Sequence, residues 1–139
     1  MQKIATFLMF VGPVAGKAEE AITLYTSLFE NSRIIHIQRR GPNDVGEVEG
    51  SVEHAIFTLN GQEFMAMDSA AGHSFNFTPS MSLFVRCEDE AEIASVFAKL
   101  SEGGQVLMPL GQYPFSRKFG WLNDRFGVSW QLNLEHPST

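Results

Sequence analysis

The chain has 139 residues, a net charge of −6 and 44% hydrophobic residues, enough apolar material for a core in one compact domain or two small modules. The acidic balance argues against a nucleic-acid partner, which needs a basic face. No apolar run is long enough to span a bilayer. Cys87 is the single cysteine, so no intrachain disulfide can form, and a cytoplasmic location is expected. The opening KIATFLMFV has the length of a signal-peptide core. Its only leading charge is one lysine and Gly12-Pro13 follows at once, so a strand is the preferred reading.

Thr6, Leu8 and Phe10 alternate with Phe7, Met9 and Val11, which predicts a first strand apolar on both faces. Gly12-Pro13 breaks it. From Ala15 to Phe29 the period becomes helical, with Ala18, Ala21, Tyr25, Leu28 and Phe29 on one side and Glu19 and Glu20 on the other. A strand is expected over Arg33–Gln38. RRGPNDVGEVEG, residues 39–50, reads as an acidic, glycine-containing loop. Val52–Leu59 and Gln62–Asp68 form a hairpin around Asn60-Gly61. Residues 69–79 read as a linker.

The order then repeats. Ser80–Arg86 alternates as a strand. A helix over about 89–102 carries Ile93, Val96, Phe97 and Leu100 at helical spacing and stops at Gly103-Gly104. Strands follow at about Gln105–Leu110, Phe115–Leu122 and Val128–Leu134. Both halves share the plan strand, helix, three strands. The expected fold is α+β: module one at about 3–68, the linker at about 69–79, and module two at about 80–135.

Several stretches carry a family resemblance: FLMF followed by a glycine and an Ala-Glu-Glu-Ala helix, the hairpin NGQEFMAMDS, the linker HSFNFTPSMSLFV, KLSEGGQVLMPL, and the tail PFSRKFGWLNDRFGVSWQLNL. Together they resemble the PhnB-like proteins of the vicinal oxygen chelate superfamily, which also holds glyoxalases, bleomycin-resistance proteins and dioxygenases. The resemblance implies paired βαβββ modules whose curved mixed sheet surrounds a cavity, in a homodimer. Members often carry the name 3-demethylubiquinone-9 3-methyltransferase. The sequence shows no glycine-rich strand-to-helix turn of the kind that binds a nucleotide-like cofactor.

Metal-dependent relatives place His or Glu ligands on the first and last strand of each module. Carried over by strand position, those places hold Thr6, Met65 or Met67, Ser80 and Gln131. None is a histidine or a carboxylate, so the resemblance implies a cup without metal, and no cofactor is expected. His36 and His54 lie on different strands of module one, His73 in the linker and His136 in the tail. No helical zinc spacing occurs.

Asp68 ends the fourth strand, where it would cap a turn or, if desolvated, act as a general base; His54 is the other candidate base. Cys87 precedes Glu88-Asp89-Glu90, which would raise its pKa, so a structural role is expected. Arg117-Lys118 would hold an anion at a cavity mouth or protect an edge strand. Choosing the faces that carry hydroxyls, the expected cavity residues are Thr6, Leu8, Phe10, Met65, Met67, Ser80, Ser82, Phe84 and Gln131, with Trp130 on the core side. Three functions stay open: a metal-free binding protein for a small molecule, a metal-independent isomerase or lyase in the same cavity, and a metal enzyme of the glyoxalase or dioxygenase type.

Overall fold

A computed structural model describes residues 2–135. The chain divides into two compact units, Met1–Asn76 and Phe77–Thr139. In the first, β1 (Thr6–Phe10) leads through a short 3-10 turn (Gly12–Val14) into α1 (Ala18–Leu28), then β2 (Arg33–Arg39), β3 (Val52–Leu59) and β4 (Gln62–Asp68). In the second, β5 (Ser82–Cys87) is followed by α2 (Glu90–Ser101), β6 (Gln105–Tyr113), β7 (Ser116–Asn123) and β8 (Ser129–Leu134). Each unit is one four-stranded mixed sheet, ordered β1-β4-β3-β2 and β5-β8-β7-β6. Among the described residues β1/β4 and β5/β8 are the parallel pairs. This is the α+β, twice-repeated βαβββ plan that the periodicity predicts.

Each helix covers one face of its own sheet. In the first unit the buried positions Leu8, Phe10, Val52, Ala55, Phe57, Leu59 and Ala66 meet Ala18, Ala21, Ile22 and Tyr25 as core. Asp68 is 1% exposed. One carboxylate oxygen accepts the backbone N–H groups of Gly16 (2.8 Å) and Ala18 (3.0 Å), and the other that of Val52 (2.9 Å). Lys17 occupies the N-cap position of α1 and supplies no side-chain cap. The helix is therefore started by a carboxylate borrowed from β4, which satisfies donors the helix itself leaves orphaned. α2 uses the local device instead: Asp89 accepts from Glu92 N–H at 2.8 Å.

Turn chemistry fixes the hairpins. Asn60 and Gly61 both have positive φ, 51° and 80°, which a two-residue hairpin needs. Between β7 and β8 a second buried carboxylate does the work. Asp124 accepts from Phe126 N–H (2.8 Å), Val128 N–H (3.0 Å) and the Trp130 indole N–H (2.9 Å). Trp130, Leu132 and Leu134 fill the helix side of the second sheet. Gly120 lies on that side too: a Cβ there would come within 2.4 Å of the Phe97 ring, so glycine lets α2 sit close to β7.

Candidate functional site

Residues paired across neighbouring strands point to the same face of a sheet. That rule decides which residues are free of the helix in each unit. In the first sheet, Phe10 pairs with Asp68 and Leu8 with Ala66, so Thr6, Leu8 and Phe10 belong to the helix side. The expectation that these three line a cavity is corrected: they flank the core, and Phe7 and Met9 take the other face. The reason is that β1 is apolar on both faces, so the single hydroxyl of Thr6 was a poor guide to register. Met65 and Met67 pair with Phe7 and Met9 and share their helix-free face. His36 pairs with Ile56, itself paired with Met65, and so joins them. The His54 ring lies 6.0 Å from that of Phe7.

Asp68, a candidate base, has both oxygens engaged by backbone N–H groups in the core. It is a structural cap, and its candidacy as a catalyst is withdrawn. Ser80 precedes β5, is exposed, and shares a 2.6 Å hydrogen bond with the Thr78 hydroxyl. The strand begins two residues later than the alternation suggested. Among the described residues no group of three or more His, Cys, Asp or Glu side chains is placed to hold a metal ion. Of the positions carried over from metal-dependent relatives, Thr6 lies on the helix side of the first sheet and Ser80 precedes β5. His136 lies outside the described residues.

The second sheet has the more developed helix-free face. One row of paired residues crosses all four strands: Phe84, Gln131, Trp121 and Met108. The next row holds Arg86, Asn133, Phe119 and Gly111. Gly111 offers no side chain opposite Phe119. The Phe115 ring meets Phe119 edge-on at 5.0 Å and 79°, and Tyr113 stacks on Phe115 at 5.7 Å and 13°. These residues enclose an open groove of about 400 Å3 lined by Phe84, Met108, Phe115, Phe119, Trp121, Gln131 and Asn133.

The polar groups beneath this groove hold one another. Ser82 and Ser129, paired across β5 and β8, share a hydroxyl–hydroxyl bond of 2.8 Å. The Trp121 indole N–H donates to Ser129 at 2.9 Å, and the Gln131 amide donates to Ser82 at 3.3 Å. Asn133 accepts from the Ser116 hydroxyl and donates to Glu135. Among the described residues no donor reaches the Gln131 Oε1, while its amide nitrogen is held by Ser82. Of the expected cavity residues, Phe84 and Gln131 line the groove and Ser82 anchors Gln131. Met108, Phe115, Phe119, Trp121 and Asn133 were not on that list. Alternation along β7, once anchored by Trp130 in the core, would have placed Trp121 opposite Gln131.

A further cluster was not foreseen from sequence. Glu47 accepts from the Ser69 hydroxyl (2.7 Å) and Ala70 N–H (3.0 Å), and His73 Nε2 lies 2.8 Å from Ser69 Oγ. Arg40 lies 3.7 Å from Glu47 and donates to the Asp68 carbonyl at 2.6 Å. The Ser69 hydrogen bond, helped by Ala70 and Arg40, holds the Glu47 carboxyl below its ordinary pKa against the opposing effect of burial. The cluster ties the acidic loop to the end of β4. Cys87 is buried, and burial reinforced by Glu92, Asp89 and Glu135 pushes its thiol up to about 12, so it is no nucleophile.

Comparison with known proteins agrees with this architecture. The family model described as 3-demethylubiquinone-9 3-methyltransferase matches residues 2–133. A PhnB protein from Bacillus cereus is 61% identical over 96% of this chain and 100% of its own, with a TM-score of 0.91. A Pseudomonas aeruginosa protein is 26% identical over 99% of this chain and 100% of its own, at 0.83. A glyoxylase/bleomycin resistance protein/dioxygenase domain from a Frankia species shares the fold at 12% identity, covering 98% and 99%, at 0.65. No curated protein matches. The chain belongs to the 3-demethylubiquinone-9 3-methyltransferase family, the PhnB-like branch of the glyoxalase/bleomycin-resistance/dioxygenase fold.

Proposed function

We propose that this protein is a metal-free binder of a small, partly aromatic molecule, held on the helix-free face of its second sheet. The observation that carries the reading is the row Phe84–Gln131–Trp121–Met108. It puts apolar and aromatic walls around one amide whose acceptor is unspent, the composition of small-molecule sites generally. Trp121 and Gln131 are fixed by Ser129 and Ser82, so the groove is organised before a ligand arrives. The Asp68 carboxylate is committed to structure, which removes the main support for an isomerase or lyase. The start of α1 also cannot seat a nucleotide-like methyl donor in the usual way, because the N–H groups of Gly16 and Ala18 are given to Asp68. The same reading has the chain pair with a second copy, as isologous dimers are the commonest assembly.

The test uses 4-tert-butylphenol as probe. It is titrated into the 15N-labelled protein while the indole N–H resonance of Trp121 is followed. Saturable movement of that resonance is expected. Gln131→Leu removes the acceptor for the phenol hydroxyl, worth about 1 kcal/mol, and should weaken binding about fivefold while the fold is kept. A probe that leaves Trp121 unmoved, or binds Gln131→Leu equally well, overturns the reading.

A further inference from the structure

We propose that the ligand of this groove is an organic cation: an alkylated ammonium or protonated amine attached to a ring or chain that fills the apolar wall. The inference rests on the groove being a ligand site and adds the charge of the ligand. Three features carry it.

The first is wall geometry. Phe119 stands nearly perpendicular to both Phe115 (79°) and Tyr113 (89°, 6.1 Å), and Trp121 is two residues along β7 on the same face. Ring planes set at right angles form a corner. An ammonium group in that corner meets the negative faces of one set of rings while its alkyl groups lie against the others. Cations favour aromatic surroundings of this kind, and several rings act together.

The second is what the lining lacks. None of the seven lining residues carries a charge. Arg86, beside Asn133 in the sheet, has Glu135 as its counter-ion at 3.6 Å. Arg117 points a guanidinium N–H to the Glu135 carbonyl, and Lys118 pairs with Glu90. Arg86 and Arg117 share the helix-free face but both reach Glu135 and neither lines the groove, so an anion would find no charged partner among the lining residues. The Gln131 Oε1 is an acceptor, so it favours a donor such as an N–H or O–H group on the ligand.

The third is softness and field. Met108 closes the far end of the row with a polarisable thioether. The chain's net charge of −6 raises the local concentration of cations over anions around the whole molecule.

The experiment compares three phenols of the same size, each carrying a different para substituent: trimethylammonium, tert-butyl and sulfonate. Each is titrated by calorimetry into the full chain, with the Trp121 indole N–H shift recorded in parallel. The expected order is cation, then neutral, then anion, with the trimethylammonium compound at least about fivefold tighter than its tert-butyl isostere. Phe115 is an exposed wall residue. Phe115→Leu keeps an apolar side chain and removes the ring, so it should weaken the cation more than the neutral compound and lower the cation-to-neutral ratio. If the tert-butyl compound binds as tightly as the cation, or the sulfonate tighter, the cation assignment is wrong and the groove reading stands. If none of the three moves Trp121, the groove itself is not the site and both readings fall. An unchanged ratio in Phe115→Leu also overturns the assignment, because the corner would then play no part.

Discussion

Replacing Asp68 by Asn is the sharpest test of how the first unit is held together. Asp68 accepts three backbone N–H groups in a site that is 1% exposed. In Asp68→Asn, one oxygen can still take Gly16 and Ala18, though without the charge. The new amide nitrogen then faces the Val52 N–H donor to donor, leaving that group unsatisfied. A buried unpaired donor costs about 1–3 kcal/mol, and two charge-assisted bonds reduced to neutral ones lose about 0.5 kcal/mol each or more. The expected destabilisation is about 2–4 kcal/mol, a large share of a small domain's stability. In urea, with a slope of about 2 kcal/mol/M, the midpoint should fall by about 1–2 M. Binding of the phenol probe, measured well below that midpoint, should persist. A midpoint within about 0.3 M of the parent, joined to a loss of binding, would refute the structural assignment and return Asp68 to the functional residues.

Other outcomes follow from the same geometry. The folded-state pKa of Glu47 is lowered, so its contribution to stability is present above the unfolded value, about 4.3, and is lost as pH falls through the lower folded value. Glu47→Gln should therefore flatten the acid limb of a stability–pH curve between about pH 5 and 3, and an unchanged limb would show that the Ser69 and Arg40 contacts do not form in solution. Cys87, with its thiol pushed up to about 12, should resist alkylation by iodoacetamide at pH 8 until urea unfolds the chain; rapid native labelling would contradict its burial. Gly120→Ala should destabilise by about 1–3 kcal/mol through overpacking against Phe97, and Phe97→Leu in the same chain should recover part of the loss. Sedimentation at micromolar concentration should give twice the chain mass, and a monomer would overturn the proposed pairing.

The parts of the fold that sequence made legible were those with a period or a turn code. The strands Val52–Leu59 and Gln62–Asp68 were placed to the residue because Asn60-Gly61 marks the hairpin and alternation runs unbroken to either side. The helices were placed to within about three residues by the spacing of Ala18, Ala21 and Tyr25 and of Ile93, Val96 and Leu100. What failed was face, not element. β1 reads TFLMF, apolar at nearly every position, and a strand with two apolar faces does not announce which one the helix covers. In module two the choice of the hydroxyl-bearing face put Ser82 and Phe84 on the helix-free side, where they pair with Ser129 and Gln131 while Trp130, Leu132 and Leu134 of β8 fill the helix side. The two buried carboxylates were hidden for another reason. Asp68 caps a helix 50 residues earlier in the chain, and no local pattern connects them.

The two units show how one plan can carry different chemistry on equivalent faces. In the first sheet the helix-free face has Phe7, Met9, Ile56, Met65 and Met67 at its centre, with His36, the pair Gln38–His54 and the pair Thr58–Glu63 around them, and no two hydroxyls face each other in those pairs. In the second, Ser82 and Ser129 face each other at 2.8 Å and fix both Trp121 and Gln131. An indole and an amide laid side by side on a sheet would each sample several rotamers; two serines remove that freedom with bonds worth about 1 kcal/mol each. The serine pair thus positions both side chains on the helix-free face of the second sheet. In the first, Thr6 has no such partner across its pair, Phe64. A single hydroxyl at a strand end carries little information about register, whereas two hydroxyls paired across β5 and β8 satisfy each other and anchor their neighbours.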